Sequence, residues 1–395
     1  MKHADIQRLH AAGLITDDQR RAILDHFHLQ EDSPRFLAVV LFVGAILVSA
    51  GVILLISANW NEIPAFAKLG GGLLLQIGAY VAGAWLRDGS GRYPRVGEAF
   101  YLMGALLFLA NIALIGQIYH LASNLPNALL AWWLGIAALP WILRSRALHV
   151  LGLLALVTWF GSEAWRNSGW LNFGTHGFPL MLLALLGLAI YAFGLALRPT
   201  SWSIFSADSE RFGLILFVGA LFPFAIEPFQ REAFRSFQGG TVVPFAVLAV
   251  VALGLLAWGL SRDTRFSGPW RMVWGGSIAG LVAFLSVLLV VLAGDTPHDV
   301  FAHRATFLSW VSTVLLGAFA LLQVRVGVHL GAAHLVNFGI LLVALLMLAT
   351  YLALIESMGR TGMVFIASGI LLMGFGIYLE KQRRKLLQRI RPQIV

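Results

Sequence analysis

Apolar runs of about 20 residues alternate with short polar gaps along nearly the whole chain. Coiled as a helix, a run of that length covers the hydrocarbon core of a bilayer. The pattern predicts twelve spans, near 36–58, 64–86, 98–119, 125–143, 147–165, 178–198, 212–229, 242–260, 270–293, 306–324, 332–355 and 361–380. The expected fold is all-α and polytopic. A polar tail, 1–35, precedes the bundle, 36–380, and a basic tail, 381–395, follows it. Twelve spans divide into two sixes, 36–198 and 212–380. Leu41-Phe42-Val43-Gly44-Ala45 returns in the second as Leu216-Phe217-Val218-Gly219-Ala220, and repeated halves are a common transporter plan.

The polar gaps are unequal. With the N-terminus inside, 22 of the 28 Lys and Arg residues fall in inner segments, among them Arg87, Arg144, Arg198, Arg211, Arg262 and Arg265. Cytoplasmic loops carry that excess, so both termini are expected in the cytoplasm of a bacterial inner membrane. No cleavable leader is expected, because the first apolar run starts only near Phe36.

Composition narrows the class further. Of 395 residues, 59% are hydrophobic and 12% charged, about half the charge of a soluble domain. The formal charge is +9. Because the basic residues sit beside spans, anionic lipid headgroups are the expected partner and nucleic acid is not. With no cysteine in the chain, disulfides, thiolate nucleophiles and Cys metal sites are excluded. Phosphate-binding glycine loop, zinc-protease helix and serine elbow are all missing. No catalytic residue, metal site or cofactor is expected.

The N-terminal tail predicts two short helices. Gly13 ends the first, and Thr16 with Gln19 three residues on forms a capping box for the second. Trp132-Trp133 and Trp170 are expected in the interfacial aromatic belt. Gly276 and Gly280, and Gly70-Gly71-Gly72, are expected to let helices approach closely.

Polar side chains inside a membrane are costly, which makes them functional candidates. Here they gather on the outer side. Asn59, Trp60 and Glu62 fill the first outer loop, and Lys68 lies one turn into the second span. Gln117, Tyr119 and His120 end the third span, with Asn111 about 12 Å deeper on it. These eight residues form the primary candidate binding cluster. Pro223 and Glu227 form a secondary one, in a span interrupted by two prolines, since broken helices at membrane depth often line a cavity. On the inner side Glu98 is the main polar group within a span.

Several of these segments resemble the bacterial membrane proteins grouped as domain of unknown function 2157. The resemblance is carried by Gly13-Leu14-Ile15-Thr16 with Gln19, and by Ala58-Asn59-Trp60, Ile63-Pro64 and Lys68. It continues through Asn111-Ile112-Ala113-Leu114 and Gly116-Gln117-Ile118-Tyr119-His120. It covers roughly the first 125 residues, with a fainter echo in Tyr378-Leu379-Glu380-Lys381. Relatives often carry an acidic residue soon after the Tyr-His pair, where this chain has Leu121-Ala122-Ser123-Asn124. The resemblance implies an inner-membrane protein and names no reaction. The leading functional expectation is binding of a small polar or amphiphilic solute in an outward-facing cavity, with transport as its extension. A membrane scaffold for envelope maintenance stands second. An enzyme for a lipid-linked substrate, using His120 or Glu227 as acid or base, stands third.

Overall fold

The computed structural model describes residues 64–89, 93–121, 124–166, 177–227, 229–230, 242–266, 268–292 and 298–354, with isolated positions before 55 and after 365. Among the described residues there is no strand. In chain order the helices are α1 (Ala65–Ala84, continued by a π-helical turn, Trp85–Gly89), α2 (Pro94–Ile118), α3 (Leu125–Ile136), α4 (Leu139–Leu143), α5 (Arg146–Ala164) and α6 (Gly177–Leu197). Then come α7 (Ser206–Leu221), α8 (Val242–Arg262), α9 (Gly268–Leu292), α10 (His298–His329) and α11 (Ala333–Leu354).

Among the described residues nine helices are long and apolar enough to cross a membrane. The spans expected at 36–58 and 361–380 fall mostly outside the described residues, and those of their positions that are described are helical. The seventh differs from expectation. It is a 16-residue helix, α7, followed by a 3-10 turn, Phe222–Ala225. Proline at 223 offers no N–H to continue the α-helical ladder.

Local signals set the helix ends. Proline stands at the first position of α2, where its missing N–H costs nothing. The α10–α11 turn closes with Ala332 N–H on Gly327 O (2.8 Å) and Gly331 N–H on Val328 O (3.3 Å). That pattern needs a left-handed residue, and Gly331 supplies it at φ +65°. In the tail, Thr16 N–H donates to Gln19 Oε1 (3.0 Å) and Gln19 N–H to Thr16 Oγ1 (3.4 Å). This is the reciprocal capping box that the sequence predicts. Gly13 lies outside the described residues.

The chain forms two compact units. The first comprises Met1–Asn124 and Ala131–Leu151, the second Leu125–Leu130 and Gly152–Val395. Within the first, α1 and α2 pack along a seam of small residues. A Cβ added at Gly97 would lie 2.7 Å from Gly83 O, and one at Gly104 would lie 2.8 Å from the Tyr80 ring. Trp132, expected in the aromatic belt, is instead buried and donates from Nε1 to Ala105 O (2.9 Å).

The second unit is built around α6, which is buried along most of its length. Glycines bring its neighbours onto its backbone. A Cβ at Gly213 of α7 would meet Tyr191 N at 2.3 Å, and one at Gly259 of α8 would meet Ala192 O at 2.8 Å. Trp274 of α9, fully buried, stacks on Phe319 of α10 at 5.3 Å between ring centres and donates to Tyr191 Oη (2.8 Å). The GxxxG pair expected to pack, Gly276 and Gly280, meets no atom of the described residues within 4 Å, nor do Gly70 and Gly71, whereas Gly72 lies against Asn111. Close approach depends on which face a glycine occupies.

Candidate functional site

In the second unit the end of α7 is the most unusual stretch of backbone. After the 3-10 turn, Ile226 is extended at φ −102°, ψ 112°. The chain then turns helical again, with Gln230 N–H on Ile226 O (3.1 Å). The break strips the Phe224 and Ala225 carbonyls of helical partners, and side chains from elsewhere replace them. Gln230 Nε2 donates to Phe224 O and lies 3.3 Å from Ser312 Oγ of α10. Thr313 Oγ1 of α10, whose hydroxyl donates to Ser309 O (2.9 Å), lies 3.3 Å from Ala225 O. Thr306 Oγ1, about two turns along α10, donates to Glu227 Oε1 (2.8 Å). Thr306, Ser312 and Thr313 thus face the break, while the Ser309 hydroxyl turns back to Thr306 O (2.8 Å).

Gln230 is fully buried, and its Oε1 has no hydrogen-bond partner among the described residues. A buried amide oxygen without a donor costs about 1–3 kcal/mol. Phe224 and Ser312 also border an apolar cleft, walled by Leu221, Leu285, Leu288 and Leu316. Hydroxyls, freed carbonyls and an unsatisfied amide therefore stand beside a greasy recess. Such a place can hold an ion or a small polar group while excluding water. Pro223 and Glu227, the secondary candidates, stand at the break in the chain, and neither lines the cleft.

The primary candidates are placed differently. Asn59, Trp60 and Glu62 lie outside the described residues. Asn111 is buried between α1 and α2, where its Nδ2 donates to Gly72 O (3.2 Å) and Gln76 Oε1 (2.8 Å). Lys68 is half-buried in the first turn of α1. Gln117, Tyr119 and His120 are exposed at the end of α2. His120 has a left-handed backbone, φ 50°, and its Nδ1 lies 3.2 Å from Ile118 O. The structure thus brings Asn111 together with α1 and not with the exposed end of its own helix.

Two ion-pair clusters stand at helix ends rich in arginine. In the first unit Glu98 pairs with Arg87 (2.9 Å) and accepts the Ser145 hydroxyl. Arg87 also donates to Arg144 O (3.1 Å), and Ser145 Oγ accepts the Leu148 N–H as the cap of α5. In the second unit Glu210 of α7, nearly fully buried, accepts Arg198 Nε (2.6 Å), Ser206 Oγ (2.8 Å) and Arg265 (3.2 Å). Arg265 also binds Asp263, 2% exposed, at 2.6 Å. Burial opposes the charge on Arg265, but the Asp263 and Glu210 carboxylates outweigh it and hold its pKa above the ordinary value.

Sequence reasoning reached the prolines of the break but not Gln230, Thr306, Ser312 or Thr313. One signal was available: hydroxyls at 306, 309, 312 and 313 follow helical spacing within an apolar run. For Glu210 and Asp263 the chain gave none, since acids among arginines in a short gap read as solvated.

Comparison with known proteins bears on the first unit. Residues 7–149 match the family DUF2157, described as a predicted membrane protein. The resemblance carried by the N-terminal motifs holds over that stretch. The DUF2157 match stops at 149, close to Leu151, where the first compact unit also stops. No curated protein and no solved structure matches the chain. The interrupted helix therefore lies in the part beyond the DUF2157 match.

Proposed function

We propose that the protein is a twelve-span inner-membrane protein that binds a small polar or amphiphilic solute at the interrupted helix and carries it across the bilayer. The nine long helices, the interrupted α7 and the two apolar runs at 36–58 and 361–380 supply the count. The basic residues supply the orientation, both termini inside and the break toward the outer side. One observation supports the function: the break after α7, its Phe224 and Ala225 carbonyls facing Gln230 and α10, with the Gln230 oxygen unpaired among the described residues and Phe224 and Ser312 bordering an apolar cleft. Irregular backbone is tolerated at that depth where it is packed in protein or lines a cavity. In this reading the DUF2157 unit anchors the protein, and Lys68, Gln117, Tyr119 and His120 offer an outer polar surface.

The chain contains no cysteine, so single cysteines report without background. Carrying a solute opens the site to water on each side in turn, so in sealed proteoliposomes Ser312→Cys and Thr313→Cys should react with a small charged thiol reagent, whereas Leu285→Cys in the cleft wall should not. Silence at both hydroxyl positions, in protein that remains monodisperse in detergent, overturns the reading. Cysteines at Asn61 or Asn124 should be labelled from outside intact cells and those at Gly89 or Ser209 should not; labelling at Gly89 overturns the orientation.

A further inference from the structure

We propose that the interrupted helix holds a sodium ion, coordinated by the Phe224 and Ala225 carbonyls, the Ser312 and Thr313 hydroxyls and the Gln230 amide oxygen. The inference rests on the reading of this break as the binding site and names the ion that works with the solute there.

The argument starts from the Gln230 amide. As placed, Nε2 faces Phe224 O and Ser312 Oγ while Oε1 is buried without a donor among the described residues. The two ends of a carboxamide have nearly the same shape, and hydrogen bonding alone decides which points where. A half-turn about the last side-chain bond puts Oε1 beside Phe224 O and Ser312 Oγ, with Thr313 Oγ1 and Ala225 O next along the chain and along α10. Oxygens crowded in that way repel one another unless a cation sits between them. Either orientation leaves one amide group unpaired, so coordination of the ion tips the balance. The protein then has two states at one residue: amide nitrogen inward without the ion, amide oxygen inward with it.

The donor set selects the ion. All ligands are oxygens, and no group of three or more His, Cys, Asp or Glu suited to a metal occurs among the described residues. Transition metals, which favour imidazole and thiolate, have nothing to bind. Calcium and magnesium draw on carboxylates, often several. Here the neighbouring carboxylate is Glu227, three residues before Gln230 and already bonded to Thr306. A neutral oxygen cage with one carboxylate nearby suits a single positive charge. Unwound backbone carbonyls in discontinuous membrane helices coordinate monovalent ions in the same manner. The walls made by Leu221, Leu285 and Leu288 exclude water, so the ion must exchange its hydration shell for these oxygens. That exchange favours an ion matched to a tight cage, sodium over potassium.

The test uses purified full-length protein in detergent and follows unfolding by tryptophan fluorescence. Sodium chloride is titrated against choline chloride at constant ionic strength, with potassium chloride in parallel. An ion that binds only the folded state raises the melting temperature in a saturable way. The expected result is a rise of several degrees with sodium and none with potassium or choline. Ser312→Ala and Gln230→Leu should abolish the rise, and Asn111→Leu in the other unit should preserve it. Equal response to sodium and potassium, no response to sodium, or an undiminished sodium response in Ser312→Ala overturns the proposal. Where Gln230→Leu fails to fold, Ser312→Ala alone decides. Sodium insensitivity with Ser312→Cys still labelled overturns the ion and leaves the solute site standing. Loss of labelling as well removes both.

Discussion

Both units bury a carboxamide against the backbone of a neighbouring segment, and the two cases end differently. Asn111 donates to Gly72 O and Gln76 Oε1 along a regular helix seam. Gln230 donates to Phe224 O and approaches Ser312, but its oxygen has no partner among the described residues. The Gly72 carbonyl belongs to an intact helix, so Asn111 only fastens two rods together. The Phe224 carbonyl is freed by a break, so Gln230 replaces a missing piece of secondary structure and does so incompletely. The ion-pair clusters repeat the contrast. Glu98 is 29% exposed, whereas Glu210 is 4% exposed and bound by two arginines. The second unit is therefore fastened hard at one end and left chemically unfinished at the other.

The largest expected effect sets the two clusters against each other. Glu210→Ala strands two guanidiniums beside Asp263 and should cost roughly 3 kcal/mol or more, as breaking a buried ion pair does. Glu98→Ala, in a wetter place, should cost about 1 kcal/mol. Thermal unfolding in detergent measures both, and equal losses would erase the distinction between the ends.

Next comes the seam itself. A Cβ at Gly72 would fall 2.2 Å from Asn111 Oδ1, while Gly70 has open space around it. Gly72→Ala should lower stability by about 2 kcal/mol through overpacking. Gly70→Ala should be neutral or slightly stabilising, because alanine is the better helix former. If the two melt alike, Asn111 is not held where the seam requires it.

The smallest effect is the sharpest. Asn111→Leu leaves Gln76 Oε1 without its donor and should cost about 1–2 kcal/mol. Gln323, fully buried in α10, has neither amide atom paired among the described residues. Gln323→Leu removes two unsatisfied groups and should be neutral or stabilise by about 1 kcal/mol. A clear loss of stability in Gln323→Leu would mean that this amide has a structural partner after all.

Much of the bundle was legible because membrane spans are written in composition and length alone. Nine of the expected runs are helices of that kind, and the capping box at Thr16 and Gln19 was readable because both partners lie within one turn. What failed to show depends on which residues meet across helices. Trp132 reads as belt because nothing local tells that Ala105 O lies within its reach. Gly276 and Gly280 carry a packing motif that meets no neighbour among the described residues, whereas Gly187 and Gly213, single residues on different helices, bring two backbones into direct contact. Pro223 and Glu227 marked the break. Gln230 could be recognised only after the chain had folded back beneath Phe224.

The contact between α6 and α7 has a mechanical consequence. A Cβ at Gly187 would lie 2.5 Å from Phe217 N, and one at Gly194 would lie 2.7 Å from Glu210 N. Sliding motions between helices run on layers of side chains that can re-seat, and here that layer is missing. The pair behaves as one plank, pinned at its charged end. The soft joint in it is the four-residue turn Phe222–Ala225, so any rearrangement must be a bend there, and a bend there moves the Phe224 and Ala225 carbonyls first.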